Sequence, residues 1–227
     1  MQLAQLQDAY KRLVASFGTP VLVPDNNPLG GMVETILSQS TSDINSQRAY
    51  RDLMAAVPRW EAVRDAPTAT IATAIQHGGL ANIKAQRIQA ALRNVTEMLP
   101  ATADGADLAD RFRQWLATMH VAEARVALQK IPSVGPKTAA CVLLFSLGQP
   151  SMPVDTHVYR ITNRLGWIDD KTSVARTHEL YDAVTPDEMV YPLHILLITL
   201  GRRICRAHHP LCGQCPLREI CPIGQTV

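Results

Sequence analysis

Apolar residues in this chain recur at intervals of three and four, and almost nowhere at intervals of two. Tyr50, Leu53, Met54 and Val57 repeat at helical spacing in "QRAYRDLMAAV", and Ile88, Leu92, Val95 and Leu99 do the same after "NIKAQR". Leu108, Phe112, Trp115, Leu116 and Met119 make a third stripe. Each stripe must be covered by another helix, and no alternating segments are present to build a sheet. The expected class is all-α. Asp43 or Asn45, Thr68 and Asn82 are the candidate helix starts. The stretch 19–31, "TPVLVPDNNPLGG", carries three prolines and two glycines and reads as a linker after an N-terminal helix. A second break is "GQPSMP", 148–153.

At 227 residues, 47% apolar and 19% charged, the chain is globular and has ample core for one large or two ordinary domains. It has no apolar run of about 18 residues, and "MQLAQLQDAYKRL" lacks the apolar stretch of a signal peptide. A cytoplasmic protein with no membrane association is expected. The net charge of +2 is too small to mark a polycation, so any nucleic-acid surface must be a local patch.

Two segments carry chemistry. In "IPSVGPKTA", 131–139, Gly135 permits a tight turn and Pro136 suits a first helical position. The apolar run that follows, "TAACVLLFSL", predicts a buried helix over 138–147. Lys137 then sits in a first turn, where the helix's positive end disfavours an ammonium. It reads as a reactive amine or as a phosphate-contacting lysine. The backbone N–H groups of 133–137 can hold a phosphate without reading sequence.

The second segment is the tail, where Cys205, Cys212, Cys215 and Cys221 are spaced C-x6-C-x2-C-x5-C. In a cytoplasmic protein such a cluster binds metal rather than forming disulfides. One C-x2-C knuckle with two unequal loops fits a cubane better than the paired knuckles of zinc, though zinc stays open. Cys141, on the apolar helix, reads as a core thiol.

Together these residues resemble endonuclease III, the iron–sulfur branch of the helix-hairpin-helix DNA glycosylase superfamily. The resemblance rests on "IPSVGPKTA", on "PVDTHVYRITNRLG" (153–166), on "LGRRIC" and on the four-cysteine tail, in that order from about residue 30 to 222. It implies a six-helix barrel domain over 26–149 with the hairpin motif at about 121–147. It implies an iron–sulfur domain from 1–25 plus 150–227, with DNA in the cleft between. It also implies a 4Fe-4S cluster on the four cysteines, and a monovalent cation on the carbonyls of Gln129, Ile131 and Val134.

Lys137 aligns with the lysine that attacks C1′ of the damaged nucleotide and forms a Schiff base. Asp155 aligns with the catalytic aspartate, while an ordinary N-cap is the alternative. A helix over 137–147 is about 16 Å long. Residues 148–154 can reach back about 23 Å, far enough to return Asp155 towards the lysine. "HGGLANIKA", 77–85, resembles the loop whose leucine wedges into the base stack, here Leu80; a core leucine is the alternative. "LSQSTSD", 37–43, resembles the loop whose glutamine fills the vacated space. Its register is shifted by one, so that Gln39 precedes the slot Ser40 occupies. Ser133, Gly135, Lys137 and His157 complete the expected DNA contacts. Ser133 stands where the family usually has glycine, and the histidines of "RAHHPL" replace basic residues, so the grip there is stronger at pH 6 than at pH 7. The segment 103–119 reads as an extra helix, with Trp115 in the core.

The activity implied is a bifunctional glycosylase and abasic-site lyase acting on oxidised pyrimidines such as thymine glycol, in a monomer bound to double-stranded DNA in the nucleoid. A monofunctional relative would carry Ser or Tyr at the position of Lys137, and the long C-terminal domain of the adenine-specific branch does not follow Cys221. A non-enzymatic DNA-binding module would need neither Lys137 nor Asp155.

Overall fold

The computed structural model describes residues 1–100 and 106–226. They form helices joined by turns, with no strand among the described residues. The chain divides into two compact units, Pro24–Gln149 and Met1–Val23 with Pro150–Val227.

The Pro24–Gln149 unit holds α2 (Pro28–Ser38), α3 (Asp43–Ala56), α4 (Trp60–Asp65), α5 (Thr68–Ala74), α6 (Ala81–Met98), α7 (Leu108–Ala117), α8 (Val121–Gln129) and α9 (Pro136–Cys141). Its core is laid down by the apolar stripes: Leu29, Met32, Val33, Ile36 and Leu37 of α2 are fully buried, as are Ile88, Leu92 and Val95 of α6. Phe112 and Leu116 of α7 join the same core, and Trp115 packs against it, stacked on Phe112 at 6.1 Å. Residues 103–105 of the extra-helix segment lie outside the described residues.

Several local expectations are corrected. The helix of α2 begins at Pro28, inside the segment read as a linker. Gly30 and Gly31 are helical, and close packing is what requires glycine there: a β-carbon on Gly30 would meet the Tyr50 hydroxyl and the Asn27 cap, and one on Gly31 the Ser146 hydroxyl. Ser42 caps α3, accepting from Asn45 N, so neither Asp43 nor Asn45 is the cap. Thr68 does begin α5, after Pro67, whereas α6 begins at Ala81, after Leu80, and not at Asn82. The buried run after Lys137 is not one α-helix, because Val142–Ser146 relaxes into π geometry. Such widened turns are frequent at functional sites.

The other unit packs α1 (Leu3–Phe17) against α12 (Asp187–Arg203), and α12 against α10 (Thr156–Arg164); α11 (Val174–Val184) and the short α13 (Pro222–Gln225) complete it. Tyr181 is fully buried, its hydroxyl 2.6 Å from Thr162 Oγ1. Arg12 of α1 donates to Glu219 at 2.8 Å, tying the N-terminal helix to the cysteine-bearing tail.

Candidate active site

The hairpin between α8 and α9 is pinned from below. Ile131 and Val134 are buried, and Val134 N donates to Ile131 O at 3.1 Å. Between them Ser133 takes a left-handed backbone, φ 69°. The residue that needs glycine-like freedom is therefore Ser133 and not Gly135, whose φ of −88° and ψ of 179° suit any residue. Nothing lies within 4 Å of a β-carbon built on Gly135, so no contact inside the protein demands its glycine.

Lys137 lines a pocket open to solvent. Gly31, Glu34, Thr35 and Ser38 of α2 form one wall, and Asp43, Ser46 and Gln47 of α3 another. Asp25, Cys141, Phe145 and Ser146 close it. Asp25 N and Asn26 N donate to Phe145 O and Ser146 O, at 3.2 and 3.0 Å, which straps this edge down. Burial pushes the half-buried carboxyl of Glu34 above the usual carboxylate range, and the charge of Asp25 adds to it. An amine and a carboxyl biased towards its acid form thus share one pocket, a pairing suited to nucleophilic and acid–base chemistry. Sequence reasoning missed Glu34 and Asp25. The signal was available for Glu34: it is the one charged residue in "PLGGMVETILS".

Of the loops expected to face DNA, the one carrying Gln39 reaches the hairpin. Gln39 Nε2 donates to Ser133 O at 3.3 Å, and Gln39 Oε1 accepts from Arg87 at 3.0 Å. Leu80 is 57% exposed, so it is not a core residue. Ser40 and Leu80 both have left-handed backbones, φ 53° and 49°. With Ser133 they are three of the five non-glycine residues in that region among the described residues, the others being Asn26 and His209. Each such residue costs about 1–2 kcal/mol. Ser40 and Leu80 are exposed and Ser133 is half-buried.

Asp155 and His157 belong to the other unit. Asp155 is the N-cap of α10: its Oδ1 accepts from His157 N at 2.9 Å and Val158 N at 2.8 Å. The Nδ1 of His157 accepts from Arg160 Nη2 at 3.0 Å. The thiols of Cys205, Cys212, Cys215 and Cys221 are unpaired and line one pocket with Arg164, Ile204 and Ile223. Burial pushes the Cys215 thiol up, and the other three cysteines add to it. Four thiolates there require a cationic partner, which is what a metal centre supplies. Among the described residues no three His, Cys, Asp or Glu side chains are placed to share a single metal ion. Arg160 and Arg164, also missed from sequence, join α10 to this loop. Arg160 donates to Cys205 O at 2.8 Å, and Arg164 to Cys205 Sγ at 3.2 Å and to Arg206 O at 2.7 Å.

A family model describing the HhH-GPD superfamily of base excision DNA repair proteins matches residues 33–186. The chain belongs to that superfamily. Within it the protein is endonuclease III-like. Endonuclease III of Thermotoga maritima is 30% identical over 197 residues, covering 87% of this chain and 84% of that protein. The Escherichia coli enzyme is 29% identical over 202 residues, 89% and 87% of the two chains. A candidate DNA glycosylase of Arabidopsis thaliana is 36% identical over 181 residues, and the chain spans 58% of its length. A solved structure of a trapped endonuclease III–DNA covalent intermediate superposes with a TM-score of 0.79 at 25% identity, over all of this chain and 98% of the other. A thermostable thymine-DNA glycosylase, 18% identical with a TM-score of 0.77 over 99% and 98% of the chains, shares the fold. The superfamily member therefore has the all-α helix-hairpin-helix glycosylase fold. No helix among the described residues is long and apolar enough to cross a membrane.

Proposed function

We propose that this base excision repair glycosylase is bifunctional: it removes oxidised pyrimidines such as thymine glycol from duplex DNA and then cleaves the strand by β-elimination. The observation that carries the reading is Lys137, at the head of the superfamily's hairpin and open to a pocket that also holds an acid-biased carboxyl. In its neutral form Lys137 Nζ bonds to C1′ as the C1′–base bond breaks. The departing base takes a proton, which Glu34 supplies. One amine proton returns to the Glu34 carboxylate, and as the C1′–O4′ bond breaks O4′ takes a proton from water, leaving the protonated imine. That imine acidifies C2′, and loss of a C2′ proton expels the 3′ phosphate. Asp155 stabilises positive charge developing on the sugar, while its Oδ1 holds the start of α10.

DNA reaches the site through the loops. The open space at Gly135 leaves room for a phosphate against the hairpin, Leu80 wedges into the stack, and Gln39 with Ser40 fills the space left by the extruded nucleotide. Cys205, Cys212, Cys215 and Cys221 hold a 4Fe-4S cluster, with Arg164 balancing its thiolate charge. That cluster supplies structure when bound, ordering a loop with few apolar residues of its own.

The test is borohydride trapping. Duplexes containing thymine glycol or an abasic site should give a stable protein–DNA crosslink, lost in Lys137→Gln. Asp155→Asn should keep DNA binding and turn over about 10²–10⁴-fold more slowly. Base release with no trappable crosslink would make the enzyme monofunctional.

A further inference from the structure

Among the described residues one lysine is buried, and the chemistry above does not use it. Lys84, in the first turn of α6, is 1% exposed. All three of its ammonium protons are placed: onto Leu37 O at 2.6 Å, Thr41 Oγ1 at 2.6 Å and Gly78 O at 2.7 Å. Thr41 Oγ1 in turn donates to Gly78 O at 2.5 Å. The partners lie on either side of two strained residues. Leu37 and Thr41 bracket Gln39 and Ser40, while Gly78 lies two residues before Leu80. Left-handed geometry at a non-glycine residue persists where the surrounding structure over-determines it.

We propose that Lys84 is a positioning residue whose buried ammonium locks the Gln39–Ser40 loop to the Leu80 loop, so that filler and wedge enter the duplex as one unit. This rests on the reading above that these two loops penetrate the base stack.

The position of the charge supports a specific role over general stability. Burial holds the Lys84 ammonium below the usual lysine range, and Arg87 adds to the effect. A buried charge is a poor source of stability but a strong source of geometric specificity. Here it is solvated by two carbonyls and a hydroxyl, and Leu37 O belongs to the last turn of α2, where the helix presents its negative end. Arg87, one turn along α6 from Lys84, donates to Gln39, and Gln39 reaches on to Ser133. The lock therefore extends to the hairpin beside Lys137.

The experiment uses the full-length protein and a duplex carrying tetrahydrofuran, a stable abasic analogue, so that it is independent of catalysis. Affinity is measured relative to an undamaged duplex, and insertion is read from the fluorescence of a 2-aminopurine placed next to the analogue. Lys84→Met should cut the preference for the lesion duplex about tenfold and abolish the fluorescence rise, with undamaged-duplex affinity within about twofold, since only extrusion and insertion draw on the loops. Placing the analogue in an unpaired bulge, where no stack need be opened, should restore most of the lost affinity. Leu80→Ala added to Lys84→Met should weaken lesion binding far less than it does alone, because the two act through one insertion step. Full additivity, or an equal loss on paired and bulged duplexes, would refute the lock. If Leu80→Ala alone leaves lesion binding unchanged, the underlying wedge reading fails instead. Should Lys84→Met not fold, Thr41→Val removes the bridging hydroxyl while keeping the ammonium on both carbonyls. It should shift the preference in the same direction, and an unchanged preference there refutes the lock equally.

Discussion

Replacing Leu80 by glycine separates stability from function at one position. Truncating a fully buried leucine costs about 2–5 kcal/mol. Leu80 is 57% exposed, so less than half of the roughly 1.5–3 kcal/mol of a full burial is at stake, about 1 kcal/mol. Against that stands its backbone: at φ 49° a residue with a β-carbon pays about 1–2 kcal/mol that glycine does not. Glycine's greater freedom in the unfolded chain takes back about 0.5–1 kcal/mol. The three terms nearly cancel, leaving a net change within about 1 kcal/mol of zero. Urea denaturation should therefore show a small shift of midpoint at unchanged slope. Binding to the tetrahydrofuran duplex should fall about tenfold or more, since the apolar wedge is gone. A stability loss of 2–5 kcal/mol would show that the side chain is core after all. Unchanged lesion binding on an intact fold would show that Leu80 does not enter the stack.

Two other perturbations have signed outcomes. Glu34 has its pKa raised by burial, so the folded state holds a proton that the unfolded state has released, and stability falls as pH climbs through that window above the ordinary glutamate value of 4.5. Glu34→Gln should remove this loss, raising the melting temperature more at pH 8 than at pH 5. If Glu34 is the proton source, the same variant should slow release of thymine glycol yet leave strand cleavage at a preformed abasic site near the parent rate. Equal slowing of both steps would argue against that role. Cys205→Ser should yield protein without the broad visible absorption of iron–thiolate centres and with faster amide exchange from 205 to 221. Colourless parent protein with stoichiometric zinc would overturn the cluster assignment.

The sequence by itself determined the all-α class, because stripes such as Ile88, Leu92 and Val95 repeat at the period of a helix and bury together. It also determined the place of the hairpin, since Pro136 can open a helix but cannot continue one. The spacing of the four cysteines marked a common site, because few other arrangements of thiols in so short a segment are useful. Three things were decided only in three dimensions. Gly30 and Gly31 looked like loop residues but are helical; what requires glycine there is the approach of Tyr50 and Ser146, which are distant in sequence. Glu34 and Asp25 meet Lys137 in one pocket although about a hundred residues separate them, and no local pattern encodes that meeting. Nothing in the sequence around Lys84 marks it as buried, yet it is 1% exposed. Its burial follows from the end of α2 and the Gly78 turn folding over it, where Leu37 O and Gly78 O replace the water its ammonium gives up.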